Sequence, residues 1–131
     1  MEFFKQHIPA VRTILLKSRG SESSPADRRG IFIHGNQPAN QVRENGIWYA
    51  LDLCMNQDAS LYLDTRLLRA WLLENAGGKD VLNTFAYTGS LGIAAAAGGA
   101  NKVVQGDLSR RFLALANQSA ALNQITGQQH R

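Results

Sequence analysis

The stretch that decides the fold runs from Val81 to Ala100 and reads VLNTFAYTGSLGIAAAAGGA. An apolar run ends near Phe85, a short loop with glycines at Gly89 and Gly92 follows, and an alanine-rich helix begins. A strand, a tight loop and a helix in this order are typical of a parallel α/β sheet, which binds ligands at the carboxyl ends of its strands. The stretch therefore predicts a ligand loop after Phe85.

The residues on either side extend the pattern. KVVQGD (Lys102–Asp107) predicts a second strand, and SRRFLALANQSAALN (Ser109–Asn123) predicts a helix with Ser109 as its N-cap. Upstream, TRLLRAWLLENAGG (Thr65–Gly78) predicts another helix. This order predicts a βαβα unit with parallel strands and a right-handed crossover, while the polar tail QITGQQHR is expected to be frayed. One face of the upstream helix is apolar, formed by Leu67, Leu68, Trp71 and Leu72.

The loop and the second strand together indicate an adenosine-type ligand. Gly89 would let the backbone approach a ligand closely, and the helix N-terminus behind it favours a carboxylate or a phosphate. Asp107 ends the second strand 18 residues later, where a carboxylate can accept hydrogen bonds from both hydroxyls of a ribose. Three interpretations stay open at this point: S-adenosylmethionine, a dinucleotide, or glycines that only permit tight packing. The dinucleotide fits poorly because the loop lacks G-x-G-x-x-G.

The first part of the chain, about residues 1–60, is strand-like and is expected to form an N-terminal β-rich segment, with residues 61–131 as the α/β part. VRTILLK (Val11–Lys17) and IFIHG (Ile31–Gly35) each predict a strand, and Ser18–Gly30 predicts a polar loop between them. QVRENGIWYALDL (Gln41–Leu53) predicts a hairpin, because Asn45-Gly46 suits a two-residue turn and the residues after it alternate apolar and polar.

Composition restricts the class of protein. The 131 residues are 44% hydrophobic, enough for a core, and 14 Lys and Arg against 10 Asp and Glu give a net charge of +4, which permits a nucleic acid partner without establishing one. Cys54 is the one cysteine, so neither an internal disulfide nor a zinc pattern is predicted. No segment reads as a secretory signal or approaches the roughly 18 apolar residues of a membrane span. We therefore expect a cytoplasmic protein without a membrane partner or a metal site.

The sequence motifs of residues 40–123 are also informative. The run from Val81 to Asn123 resembles the first half of a class I S-adenosylmethionine-dependent methyltransferase. More narrowly, it resembles the bacterial family that includes the ribosomal large-subunit RNA cytosine-5 methyltransferases. That family has a V-L-N/D-x-F-x-Y-T-G cofactor loop, an acidic residue at the end of the next strand followed closely by Ser, and a helix ending in Leu-Asn. The upstream VRENGIWYALDL and LYLDTR (Leu61–Arg66) are similar to its hairpin and F-L-D-x-R segment.

The resemblance implies S-adenosylmethionine as cofactor and RNA, in particular cytosine in ribosomal RNA, as substrate. It implies that Asp107 holds the ribose and that Leu108 or Ser109 lies near the adenine. Asn83 stands where class I methyltransferases often have an acidic residue, and its amide can still bind the cofactor amine or the loop backbone. The methionine end and the loop would be lined by Asn83, Phe85, Tyr87, Thr88 and Gly89, and Tyr62, Asp64 and Arg66 would close the pocket from the hairpin side.

The resemblance also implies parts that these 131 residues do not contain. The family has a larger sheet, a substrate-facing Asp/Asn-Pro-Pro-type motif and a downstream cysteine for 5-methylcytosine chemistry. Cys54 lies on the hairpin side and is interpreted as a packing residue. We therefore expect an incomplete Rossmann-like domain, a truncated and by itself inactive fragment with no catalytic residue to name, whose unpaired strand edge favours self-association.

Two further functions remain as alternatives. A non-catalytic RNA-binding or assembly module would use the basic residues of the first 30 positions, with Trp48 and Tyr49 available to stack a base. A dinucleotide-dependent enzyme is disfavoured by the missing glycine fingerprint. The basic residues of this segment are Lys5, Arg12, Lys17, Arg19, Arg28 and Arg29.

Overall fold

The structure is a computed structural model, and it describes residues 2–18, 20, 22, 24–55, 59–127 and 129–130. The N-terminal part begins with helix α1 (Glu2–His7) and strand β1 (Ile14–Leu16). Strand β1 pairs antiparallel with β2 (Ile31–His34), so a strand is confirmed within each of the two predicted segments. Arg19 of the predicted basic segment lies outside the described residues.

The predicted polar loop between these strands contains a short helix, α2 (Pro25–Arg29), which the sequence analysis missed. Its N-terminus is a capping box: the Ser24 hydroxyl accepts a hydrogen bond from the Asp27 N–H, and the Asp27 carboxylate accepts one from the Ser24 N–H at 3.0 Å. These bonds satisfy two backbone donors that would otherwise face water. The Ser24 hydroxyl also donates to the Asp27 carboxylate at 2.8 Å, and this bond, together with the one from the Ser24 N–H, lowers the pKa of the Asp27 carboxyl. The clusters of Ser and Pro therefore predicted a loop, although Ser24 in fact caps a short helix.

The predicted hairpin is confirmed as strands β3 (Gln41–Glu44) and β4 (Ile47–Ala50), in antiparallel register from Gln41↔Ala50 to Glu44↔Ile47. The turn residues Asn45 and Gly46 both have positive φ, 50° and 84°, as a tight hairpin turn requires.

The α/β part follows a short 3-10 turn at Leu63–Thr65. Strands β5 and β6 pair in parallel from Asp80↔Lys102 to Thr84↔Gly106, and the helix between them packs against both strands. The predicted strand–helix order is therefore confirmed. The elements are α3 (Arg66–Asn75), β5 (Asp80–Thr84), α4 (Ser90–Ala97), β6 (Lys102–Gly106) and α5 (Arg110–Leu122).

The polar tail differs from the expectation that it is frayed. Residues Gln129–His130 form strand β7, which pairs in parallel with β6 through Val104↔Gln129 and Gln105↔His130. The described sheet therefore has the order β5-β6-β7, and β5 lies at its edge. No apolar periodicity marked this segment, because a two-residue strand is too short to carry one.

The hairpin packs on helix α5 through both apolar and polar contacts. Tyr49 of β4 is buried in one cluster with Leu61, Ile93 and Ala120. The outer edge of β4 is satisfied by side chains of the helix end: the Ser119 hydroxyl accepts a hydrogen bond from the Ala50 N–H at 2.8 Å. The hairpin and the α/β unit therefore share one core, although the sequence suggested two segments.

Asn123, at the C-cap of α5, completes this edge. Its amide oxygen accepts from the Trp48 N–H at 2.9 Å, and its amide nitrogen donates to the Trp48 carbonyl at 2.7 Å. A side-chain amide thus replaces the missing neighbouring strand at one residue of β4. This contact gives the Leu-Asn pair at the helix end a structural role.

Most of the apolar face of α3 is exposed, although Leu72 packs against a buried cluster. Leu67 is 82% exposed and Trp71 is 55% exposed, whereas Arg69 on the opposite side is 1% exposed. Leu82 of β5 is 69% exposed at the sheet edge. Exposed apolar side chains on a helix and an edge strand mark a surface suited to further protein contacts.

Candidate functional site

The candidate site lies where β5 and β6 end side by side. Asp107, the residue after β6, accepts a hydrogen bond on one carboxylate oxygen from the Tyr87 N–H and on the other from the Ser109 N–H, each at 2.8 Å. A carboxylate has about four acceptor positions, so these bonds fix its orientation and leave positions on both oxygens. Asp107 can therefore accept bonds from two neighbouring hydroxyls of a ligand.

The loop after β5 has an unusual backbone. Phe85 and Tyr87 both have φ of 53°, and Gly89 has φ of 76° in the left-handed region. Positive φ at two bulky residues is uncommon and often marks a functional turn. The Tyr87 N–H bond to Asp107 is one contact that holds this turn.

Gly89 and Gly92 lack side chains because of packing inside the protein. A Cβ at Gly89 would lie 2.5 Å from the Ala116 Cβ, and one at Gly92 would lie 2.5 Å from the Gln105 side chain. Real Cβ atoms essentially never come this close, so a side chain at Gly89 would require Ala116 to move, and one at Gly92 would require Gln105 to move. The packing interpretation of these glycines is thus supported, and it does not conflict with a ligand on the other side of the loop.

Two large apolar side chains flank Asp107 at the sheet edge. Phe85 is 88% exposed and Leu108 is 101% exposed. They follow β5 and β6, whose last residues Thr84 and Gly106 are paired. An adenosine group fits this arrangement, because the apolar side chains offer surface for a base and the Asp107 carboxylate accepts hydrogen bonds from ribose hydroxyls.

The predicted loop residues Thr88, Ser109 and Asn83 have protein partners. The Thr88 hydroxyl is buried and donates to the Ser60 carbonyl, and the Ser109 hydroxyl caps α5 by accepting from the Phe112 N–H at 3.4 Å. The Asn83 amide donates to Gln105 Oε1 at 3.2 Å. These side chains therefore help to build the walls of the site.

Ser60 joins the hairpin segment to the loop and was missed by sequence reasoning. Its N–H donates to the Tyr87 hydroxyl at 3.0 Å, and its carbonyl accepts from Thr88. Its hydroxyl exchanges bonds with the Asp52 backbone at 2.8 and 2.9 Å. No motif singles out such a serine, because its role depends on contacts distant in the sequence.

Aromatic rings continue this junction. Tyr87 packs at 4.9 Å against Tyr62 and at 4.6 Å against Phe112, measured between ring centroids. Tyr62 is therefore brought next to the loop, as the resemblance implied.

Arg69 fixes the segment that carries Tyr62. It forms a two-point ion pair with Glu44 of β3, with distances of 2.7 and 3.0 Å. Its other terminal nitrogen donates to the Tyr62 carbonyl at 2.8 Å and to the Thr65 hydroxyl at 2.7 Å. The guanidinium carbon lies 5.7 Å from the Tyr49 ring centroid, a cation–π geometry.

This buried cation alters the titration of its neighbours. The hydrogen-bonded Arg69 guanidinium lowers the pKa of Glu44 below its ordinary range, even though burial opposes the shift. Burial raises the pKa of Tyr49 to about 12, and the charge of Arg69 opposes that change.

Asp64 and Arg66 are not brought into the site by the described contacts. Both are exposed, and Arg66 lies 3.8 Å from Glu44 as an outer member of the Arg69 pair.

The stacking role considered for Tyr49 is wrong. Tyr49 is 3% exposed and belongs to the core, so no base can reach its ring. Trp48 is partly buried, and the Arg43 guanidinium lies 5.6 Å from its ring centroid.

In the described part of the chain, the His, Cys, Asp and Glu side chains form no group of three or more that could hold a metal ion. None of the helices in this part has the length and apolarity needed to cross a membrane.

Comparison with known proteins gives a consistent result. Residues 21–128 match the model of a family described as S-adenosylmethionine-dependent methyltransferases. A ribosomal RNA large subunit methyltransferase K/L from Alteromonas mediterranea is 36% identical over 126 residues, which span 92% of this chain and 18% of that protein. The chain therefore spans about a fifth of this relative.

Solved structures agree. A Streptococcus mutans protein assigned as a SAM-dependent methyltransferase superposes with a TM-score of 0.83 at 29% identity, over 97% of this chain and 33% of that one. A methyltransferase structure in complex with SAH superposes with the same TM-score, 0.83, at 30% identity, again over 97% of this chain and 33% of that one. The Rossmann-like α/β fold class predicted from the sequence is confirmed.

Proposed function

This chain belongs to the S-adenosylmethionine-dependent methyltransferase family, and we propose that it forms the cofactor-binding part of an RNA methyltransferase. The observation that carries the proposal is Asp107, whose carboxylate is oriented by two backbone N–H groups at the end of β6. The similar structure solved with SAH supports the same ligand class.

In this proposal, each part of the site binds one part of the cofactor. Asp107 accepts the ribose hydroxyls, while Phe85 and Leu108 cover the faces of the adenine. The loop from Tyr87 to Gly89 and the Asn83 amide border the methionine end. S-adenosylmethionine supplies the activated methyl group when bound, and the residues of this chain bind and orient it. Tyr62 closes the hairpin side of the pocket, and Ser109 helps to hold Asp107.

Isothermal titration calorimetry with S-adenosylhomocysteine tests the cofactor proposal. We expect Asp107→Asn to weaken binding at least about tenfold, since each hydrogen bond to a charged group contributes about 1.5–3 kcal/mol. Asp80→Asn, the same change at the exposed start of β5, is the matched control and is expected to bind normally. Equal affinities for both variants, or binding of NADH instead, would contradict the proposal.

The substrate is proposed to be ribosomal RNA, with cytosine as the methylated base. The K/L relative supports ribosomal RNA by its name, and cytosine rests on the resemblance of the cofactor loop and its flanking segments. Nucleoside analysis of ribosomal RNA methylated by the longer protein tests both parts. A product on another base would overturn the cytosine assignment and leave the RNA assignment standing.

We propose that the 131 residues alone bind cofactor without transferring a methyl group. The sequence carries no Asp/Asn-Pro-Pro stretch, the motif with which the family it resembles faces its substrate. Methyl transfer from labelled cofactor to RNA by the isolated chain would contradict this.

Self-association of the isolated chain is part of the same proposal. The edge strand β5 exposes Leu82, and α3 exposes Leu67 beside the described core. Size-exclusion chromatography with light scattering is expected to give a dimer or a mixture. A stable monodisperse monomer that melts above about 60 °C would argue against it.

A further inference from the structure

A second candidate site lies in the N-terminal part, away from Asp107. A cavity of about 600 Å³ is bordered by β1, the residues after β2 and the segment after β4. A second cavity of about 510 Å³ adjoins it, and the two share Arg12, Thr13, Gln37 and Pro38 as lining residues. Both volumes are in the range of ligand sites.

The lining combines a cationic group, side-chain amides and apolar surface. Arg12 lines both cavities and Lys17 lines the larger one, while no described acidic residue lines either. Leu15 and Leu53 give the larger cavity apolar walls. The amides of the smaller cavity belong to Asn36, Gln37 and Asn40.

The walls are held by contacts within the protein. The Thr13 hydroxyl donates to the Gln37 carbonyl at 2.8 Å. A Cβ at Gly35 would lie 2.2 Å from the Arg12 carbonyl oxygen, so the loop after β2 lies directly on the segment before β1. The Asn40 carbonyl accepts from the Leu51 N–H at 2.8 Å. These contacts fix the relative positions of the segments that border the cavities.

One chain segment links the larger cavity to the loop of the candidate cofactor site. Ala59 lines it, and the next residue, Ser60, binds Tyr87 and Thr88 of the loop. A chain held in this cavity thus lies next to the segment that borders the loop.

We propose that these two adjoining cavities bind a single-stranded segment of the RNA substrate. Arg12 contacts a phosphate, the apolar walls take an unstacked base, and the amides read base edges, which is how proteins recognise single-stranded RNA. This inference rests on the proposed function, because it names where the RNA substrate is held.

Fluorescence anisotropy with a labelled ten-nucleotide single-stranded RNA tests the inference on the 131-residue chain. We expect Arg12→Glu to weaken binding at least tenfold and Arg12→Ala to lower the slope of log affinity against log salt by about 1. Arg28→Glu is the matched control, because Arg28 is exposed on α2 and lines neither cavity. We expect it to change affinity less than threefold.

Three results would overturn the inference. The first is an equal loss of RNA affinity in Arg12→Glu and Arg28→Glu. The others are an affinity for a mononucleotide equal to that for the ten-nucleotide RNA, and no RNA binding by the unchanged chain. Gln37→Ala gives a second readout, since it leaves the charge unchanged and is expected to reduce discrimination between bases. Calorimetry with S-adenosylhomocysteine, run on the same samples, separates this inference from the proposed function. If the cofactor analogue binds normally but the Arg12 variants do not change RNA affinity, the RNA site is rejected and the cofactor proposal stands.

Discussion

The chain contains two antiparallel strand pairs that differ in how they are attached. The β3–β4 pair is built into the core: Tyr49 is buried, and Ser119 and Asn123 of α5 bind the outer edge of β4. The β1–β2 pair exposes Leu16 and Phe32, which are 57% and 40% accessible.

The difference shows that strand pairing alone does not define a structural unit. An isolated two-stranded sheet is marginally stable and depends on the elements that pack against it. The β3–β4 pair gains its stability from α5 and α3, and it holds the segment that borders the loop after β5. The β1–β2 pair forms a wall of the two cavities instead. We therefore expect substitutions in the two pairs to have very different costs.

The largest expected effect is at Arg69, which ties β3 to α3. Replacing it by Met removes both bonds to Glu44 and leaves that carboxylate, 11% exposed, without its main partner. We expect a loss of about 3–5 kcal/mol in the free energy of unfolding, measured in urea. Arg66→Met is the control, because Arg66 is 66% exposed and 3.8 Å from Glu44, and it should cost below about 1 kcal/mol. Similar losses would show that the buried pair does not secure the hairpin.

A smaller effect is expected where α5 binds the edge of β4. Asn123→Ala removes two bonds to the Trp48 backbone, and we expect a loss of about 1–3 kcal/mol, with faster hydrogen exchange at the amide of Trp48. Asn117→Ala, an exposed position on the same helix, is expected to change neither. Unchanged exchange at Trp48 in Asn123→Ala would mean that the apolar contacts alone hold the hairpin.

The sequence predicted the elements that carry local signals. The Asn45-Gly46 turn, the alternation after it, the strand before Phe85 and the helix capped by Ser109 each leave a pattern within a few residues. Those patterns reflect backbone geometry and burial of one face, which short-range chemistry determines. The position of Asp107 at the end of β6 followed from them.

Features that depend on distant contacts left no such pattern. The apolar stripe of α3 did not indicate that the described core buries Arg69, at 1% exposed, and leaves Leu67 82% exposed. Ser60 and Gln105 look ordinary in sequence, yet each is at most 1% exposed beside the loop after β5. Hydrogen bonds to residues distant in the sequence give them their roles, and no local pattern reveals such bonds.

The pH dependence of stability offers a finer comparison. Arg69 holds the pKa of Glu44 below its ordinary value of 4.5, so the pair stabilises the fold above that pH. That contribution is lost progressively as the pH falls through the lowered value, because the folded state must then take up a proton that the unfolded state already holds. We expect Glu44→Gln to flatten this acid limb in urea titrations at several pH values. An unchanged limb in Glu44→Gln would assign the acid sensitivity to other carboxylates.

The smallest effect is expected in the β1–β2 pair. Phe32→Thr keeps a residue that suits a strand and removes a side chain that is already 40% exposed, so the loss should stay below about 1 kcal/mol. Tyr49→Thr makes the same kind of change in β4, where the ring is 3% exposed, and should cost about 3–5 kcal/mol. If Phe32→Thr costs as much as Tyr49→Thr, β1–β2 is integral to the core. Substitutions in the cavity wall would then lower the stability of the whole chain. A small loss of stability with unchanged cofactor affinity would instead show that residues of this pair can be changed for RNA binding without unfolding the chain.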